Sequence, residues 1–291
     1  MSMRVHHLNC ISTCPLGGRL MDGRSRSLLE RGHLACHCLL IETPDSLVLV
    51  DTGLGLRDVA DPQSRLSRFF LTLLRPEFRE QMTAVRQVER LGFDPADVRH
   101  ILLSHLDFDH AGGLDDFPNA TVHMLASERE HAVRQRSWLD RQRFRPQQWS
   151  TQPSWRTYGT EGGSRWNGFE GVRTPDGLPP EILMVPLPGH THGNAGIAVY
   201  TSGRWKFLAA DAYFHAGEMA STPVCPPGLR FYQWMMELDR DARLHNQDRL
   251  RALARGSRDV DIFCSHDIAE FEQLSGRSAG IPAEGFATPR L

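Results

Sequence analysis

The chain has 291 residues, 40% hydrophobic and 23% charged, the profile of a globular protein with room for one large domain or two ordinary ones. A net charge of −2 argues against nucleic acid as a default partner, and no stretch approaches the roughly 20 apolar residues of a membrane span. Lys206 is the single lysine among 33 cationic residues, which reads as a composition bias of the genome rather than a functional signal.

From Met1 to Gly18 there is no long apolar run and no cleavage-site pattern, so no signal peptide is expected and the protein is expected in the cytoplasm. Arg4-Val5-His6-His7-Leu8 predicts a short strand. Its adjacent histidines would face opposite ways, and both are read as structural. Cys36-His37-Cys38 is a CxC, not a zinc-knuckle spacing. Alternation puts both thiols on one strand face, as buried free cysteines of a reducing compartment.

Leu34 to Glu42 and Ser46 to Val50 are β-prone runs about Thr43-Pro44-Asp45, a hairpin signal. The second run ends in Asp51-Thr52-Gly53, where Asp51 either orients a neighbouring site or closes a simple turn. Asp58 to Arg75 is irregular, with an apolar core that could form a helical flap. Glu77 to Leu91 predicts a helix, since Phe78, Met82, Val85, Val88 and Leu91 recur every three or four residues, and Gly92 stops it. A helix between strands predicts a layered α/β fold.

The apolar run Ile101-Leu102-Leu103 leads into Ser104-His105-Leu106-Asp107-Phe108-Asp109-His110 and then Ala111-Gly112-Gly113. Two imidazoles and two carboxylates within six residues are the usual ligand types for borderline divalent metals. Clustered carboxylates at a strand end repel one another unless a cation lies among them.

Ala120 to Leu125 predicts another strand, with Ser127 and Glu130 as a capping box for the next helix. From about 134 to 180 the periodicity fades, and four of the six tryptophans sit there among Arg, Gln and Gly. An irregular insert is expected, either lining a pocket or packing as a surface excursion.

Ile182 to Val185 predicts a strand ending in Gly189-His190-Thr191-His192, and Ala195 to Thr201 with Trp205 to Ala209 a hairpin ending in Asp211-Ala212-Tyr213. Glu237 to Ala254 predicts a helix, and Val260 to Cys264 a last strand ending in Ser265-His266-Asp267. The Gly/Pro/Ala-rich tail from Ser275 is expected to be irregular. His105, His190, Asp211 and His266 thus each follow the C-terminal end of an apolar strand, and ligands on one sheet edge can converge on one cleft.

On these motifs, from Asp51-Thr52-Gly53 to Ser265-His266-Asp267, the chain resembles the metallo-β-lactamase fold superfamily, and within it the N-acyl homoserine lactonases. The resemblance implies a single αββα domain over residues 1–291 with two divalent metals, zinc by default. His105, Asp107 and His190 would hold one, and Asp109, His110 and His266 the other. Asp211 would bridge them, with Asp51 behind the ligands.

The family usually has His where Asp107 stands. Asp107 either ligates, favouring a harder ion such as Mn or Fe, or turns away and leaves that metal one ligand short. Tyr213 is similar to a tyrosine of the lactonases that polarises the substrate carbonyl, although the register puts Phe214 at the third position after Asp211.

The implied chemistry is hydrolysis of a carboxylic ester, a lactone first, by a metal-activated hydroxide, with Asp109 shuttling the proton. A glyoxalase II-like thioesterase is the alternative enzyme, kept open by the arginines between Arg134 and Arg145. A non-catalytic metal-binding or sensing protein is the alternative from another class. The expected partner is a small ester or lactone, with neither nucleic acid nor membrane involved.

Overall fold

The structure is a computed structural model that describes residues 3–152 and 154–279. One six-stranded sheet contains β1 (Arg4–Asn9), β2 (His37–Glu42), β3 (Leu47–Val50), β4 (Val98–Leu102), β5 (Thr121–Leu125) and β6 (Trp155–Tyr158), neighbours in that order. A hairpin of β7 (Ser164–Trp166) and β8 (Phe169–Val172) follows. The second sheet has β9 (Ile182–Pro186), β10 (Ala195–Thr201), β11 (Arg204–Leu208) and β12 (Val260–Phe263), in the order β12-β11-β10-β9.

Strand alternation builds the layers. Leu39, Ile41, Val48 and Val50 pack between the sheets against Met184, Ile197, Val199 and Phe263. The intervening Leu40 and Leu49 face outward to Val85 and Val88 of the helix Ala84–Arg90. On the far side, Val185 and Phe207 face Leu250 and Leu253 of the helix Arg240–Gly256. Both strand faces are therefore apolar, as a sheet covered on each side requires, and the result is the expected αββα sandwich.

The sheets also set where the site lies. β3 and β4 are parallel. β9 and β11 both run antiparallel to β10, and β12 runs parallel to β11. The strands preceding Asp51, His105, His190, Asp211 and His266 therefore end on a common edge of their sheets. A hydrogen bond from Ala195 N to Ser104 O, 3.0 Å, ties the two sheets there.

Several local expectations are corrected. The helix expected from Glu77 to Leu91 is a 3-10 turn, Glu80–Met82, and a helix, Ala84–Arg90, because Thr83 is extended between them. Ser127 does not cap its helix. The chain passes from β5 directly into Ala126–Arg134, and the Ser127 hydroxyl donates to His192 O. Asp58 to Arg75, read as irregular but able to form a helical flap, does take the helical form, as Leu56–Ala60, Pro62–Arg65 and Arg68–Leu74.

Nor is the 134–180 insert irregular. It holds the short helices Trp138–Arg143 and Pro146–Trp149, and β6 extends the first sheet by parallel pairing with β5. The expected helix from Glu237 starts only at Arg240, capped by Asp239. An unforeseen helix, Pro227–Met236, precedes it. Most of the expected irregular tail lies outside the described residues.

His6 pairs with Glu42 and His7 with His37, in structural roles as expected. Cys36 and Cys38 share one buried layer, and all six cysteines are free. Among the described residues, no helix is long and apolar enough to cross a membrane.

Candidate metal centre

Three overlapping groups of potential ligand atoms meet at the shared edge, each with its atoms within 4.8 Å of one another: His105, Asp107 and His190; His105, His110 and Asp211; and Asp109, His110 and His266. All seven side chains are buried. Asp211 is central, with its carboxylate 3.4 Å from His110 Nε2, 3.7 Å from His105 Nε2, 3.4 Å from His190 Nε2 and 3.1 Å from His266 Nε2. It follows Ala210, which is held at a φ of 49°, a left-handed value that alanine adopts only at a cost in strain.

The tautomers are set from behind. His266 Nδ1 donates to Ala35 O at 2.8 Å, and a carbonyl can only accept. His110 Nδ1 donates to Asp51 Oδ2 at 2.8 Å. Ser104 Oγ gives its own proton to Asp51 Oδ2, so it accepts from His105 Nδ1 at 3.0 Å. In the neutral form, each ring is thereby left with its Nε2 lone pair toward the cleft, the arrangement metal-binding histidines need. His105 Nε2, His110 Nε2 and Asp211 Oδ1 are buried without a hydrogen-bond partner. Buried polar atoms are rarely left so, and the donor set fits a divalent cation.

The electrostatics agree. Burial disfavours charge on His110 and His266, but the facing Asp211, with Asp51 at His110 and Asp109 at both rings, overrides it, lifting them to about 10 and about 9. Burial alone would raise Asp211, yet the four imidazoles hold its carboxyl far below the usual range. Asp109 is pushed up by burial, which His110 and His266 only partly offset. A cluster that draws protons onto imidazoles in this way also attracts cations.

Asp107 has a further partner. Arg143, fully buried at the end of the helix Trp138–Arg143, grips its carboxylate with both edges: Nε to Oδ1 at 2.6 Å and Nη2 to Oδ2 at 2.5 Å. Burial again pushes Asp107 up, and Arg143 with the imidazoles of His105 and His190 reverses it, so the carboxyl lies well below its ordinary range. A short antiparallel bridge between Asp107 and Phe144 fixes the two segments together.

Tyr213 is a correction. It is fully buried in the outer apolar layer, and its hydroxyl donates to Glu270 Oε1 at 2.9 Å, so it presents no hydroxyl to a substrate. The ring of Phe214 instead lies against His266 and His190, at 4.8 and 5.6 Å between centroids. His192 is exposed, its ring against His131, and belongs to none of the ligand groups.

Two residues escaped the sequence reading. Arg143 is one. Glu128 is the other: Oε1 accepts from Leu106 N at 2.9 Å and Oε2 from Gly193 N at 3.1 Å, so one buried carboxylate joins two ligand loops. Gly193 permits that approach, since a Cβ there would sit 2.4 Å from Glu128 N. The capping box of Ser137 and Asp140, just before Arg143, was a usable signal.

The model of the Metallo-beta-lactamase superfamily matches residues 31–266. The chain belongs to this superfamily. It is a metal-dependent hydrolase of that family. A Mycobacterium tuberculosis protein named a probable metallo-hydrolase is 38% identical over 266 residues, 91% of this chain and 80% of that protein. An N-acyl homoserine lactonase from a Bacillus species is 28% identical over 260 residues, 88% of this chain and 92% of the lactonase. A solved N-acyl homoserine lactone hydrolase, with N-hexanoyl-L-homoserine bound at its catalytic metal centre, superposes with a TM-score of 0.69 at 21% identity. The match covers 94% of this chain and 97% of that one.

Proposed function

We propose that the protein hydrolyses a carboxylic ester, a lactone first, at the centre around Asp211. The observation that carries this is the convergence of strand-end imidazoles and carboxylates on one buried carboxylate, with His105 and His110 aimed inward by the Asp51–Ser104 hydrogen bonds. The lactonases among the relatives favour a lactone over other esters.

His110, His266, Asp109 and Asp211 would hold the metal, with His105 beside them. When bound, it supplies hydroxide near neutral pH and Lewis acidity at the substrate carbonyl. Asp109 accepts no hydrogen bond from a described side chain, and its nearest imidazole nitrogen, His266 Nε2, is 3.9 Å away. It is free to take a proton from the attacking water and return it to the leaving alkoxide. A cavity of about 130 Å³ adjoins His266, with Leu34, Phe214, Leu229 and Ile268 in its wall, and suits the apolar part of a small substrate.

The test is proton release from a panel of lactones and thioesters, with protein separately loaded with Zn, Mn, Fe or Co. Turnover of lactones that His266→Ala and Asp109→Asn both lack supports the reading. Thioester turnover alone, or wild-type rates in either folded variant, overturns it.

A further inference from the structure

We infer that Arg143 fills one of the two cation positions of this centre, which therefore binds a single metal ion, held by Asp109, His110 and His266 with Asp211. The inference rests on the metal-dependent reading above and changes what that centre contains.

The argument is geometric. The group His105, Asp107 and His190 already surrounds a cation. Arg143 Nε and Nη2 take one oxygen each of Asp107, and Nη2 also lies 2.9 Å from His190 Nε2. His190 Nε2 also lies 3.0 Å from Asp107 Oδ2, so the nitrogen that a metal would need is already enclosed by the ion pair. Arg143 Nη1 donates to Met236 O at 2.6 Å, at the C-terminal end of the helix Pro227–Met236 where backbone carbonyls lack helical partners.

The guanidinium is thus held on three sides, by the ligand loop, by His190 and by a helix end, and is completely buried. A divalent ion on Asp107 Oδ2 would stand next to that fixed positive charge with little water to screen it. Among the described residues, no arginine or lysine pairs with Asp109, His110 or His266. Asp in place of the expected His at 107 follows from this: arginine pairs bidentately with a carboxylate, whereas imidazole offers it one lone pair. Arg143 is a positioning residue. It holds Asp107 and His190 and leaves the open metal position to Asp211 and the second group.

The test is metal content. The full-length protein is saturated with zinc, desalted and analysed for zinc per chain. A second sample is loaded with Mn(II) and its paramagnetic resonance recorded. One zinc per chain and an uncoupled Mn(II) signal are expected. Two ions per chain, an exchange-coupled Mn pair, or no bound metal overturns the inference. The double variant Asp107→His with Arg143→Met is expected to rise to two ions per chain. Should it fail to fold, the wild-type Mn(II) spectrum still decides. Lactone turnover is followed in the same samples, which separates the two readings. One ion without turnover defeats the functional reading alone, and two ions with turnover defeat this one alone.

Discussion

Asp51 Oδ2 accepts from His110 Nδ1 at 2.8 Å while Asp51 Oδ1 accepts from Ser104 N at 2.7 Å, so one buried carboxylate sets both a ligand ring and the strand end that carries the ligand loop. Asp51 does this from a φ of 56°, a left-handed conformation that Asp tolerates better than most residues. Asp51→Ala removes the acceptor that fixes the His110 tautomer. Metal affinity is expected to fall about 10- to 100-fold, as is usual when such a supporting partner is lost. Competition with a chelating dye measures it, and unchanged affinity would show that His110 needs no support.

Glu128 gives a prediction of a different kind. Its two oxygens accept from Leu106 N and Gly193 N, so both must be acceptors. Glu128→Gln turns one of them into a donor facing an N–H. Losing a charged, buried hydrogen bond costs about 1.5–3 kcal/mol, and urea unfolding should register a loss of that order. Metal affinity should fall with it, because the loops bearing His105 and His190 are joined there. A variant as stable as wild type would mean the loops hold their places without Glu128.

The ligand loops were legible in the sequence because each lies within a few residues of the C-terminal end of a β-prone run whose last residue is buried: Val50, Leu102, Pro186, Leu208 and Phe263. Those runs fixed the strands, and the strands fixed the edge. Arg143 was not legible. Its helix, Trp138–Arg143, has six residues and no apolar stripe, and the partner that gives it meaning, Asp107, is 36 positions earlier. Tyr213 failed for a related reason. Its place after Asp211 is a matter of register, and the 3-10 turn Ala210–Ala212 rotates Tyr213 toward Glu270 and brings Phe214 to the histidines. Ser127 carried a correct capping pattern that lost to the strand running straight into its helix.

The Arg143–Asp107 pair should behave as buried ion pairs do. Arg143→Met alone strips a buried carboxylate of its bidentate partner and leaves it only the imidazoles of His105 and His190, and a loss of about 3–5 kcal/mol is expected. Arg143→Met combined with Asp107→Leu removes both charges and should recover much of that loss, measured by urea denaturation of the two variants. A double variant no better than the single would mean that the arginine stem, rather than its charge, carries the packing.

Tyr213→Phe should leave lactone turnover within about threefold of wild type and cost about 1 kcal/mol of stability, the value of one buried hydrogen bond. A loss of turnover of 100-fold or more in the folded variant would return Tyr213 to the reaction.

The partner of that hydroxyl sets a pH dependence. Burial, with Asp267 adding to it, lifts Glu270 to about 8, even though Cys264 N and the Tyr213 hydroxyl donate to its carboxylate. The unfolded chain loses this proton near the ordinary glutamate value of 4.5, while the folded chain keeps it to about 8. Between those values the folded state binds more protons than the unfolded one, so stability falls as pH rises through the window and levels off above it. Glu270→Gln is neutral throughout and removes this contribution. Urea midpoints for both proteins at about pH 5 and about pH 8 test it: wild type should lose more stability than the variant over that interval. Equal losses would mean that Glu270 is ionised in the fold across the whole range, held so by the two donors that face it.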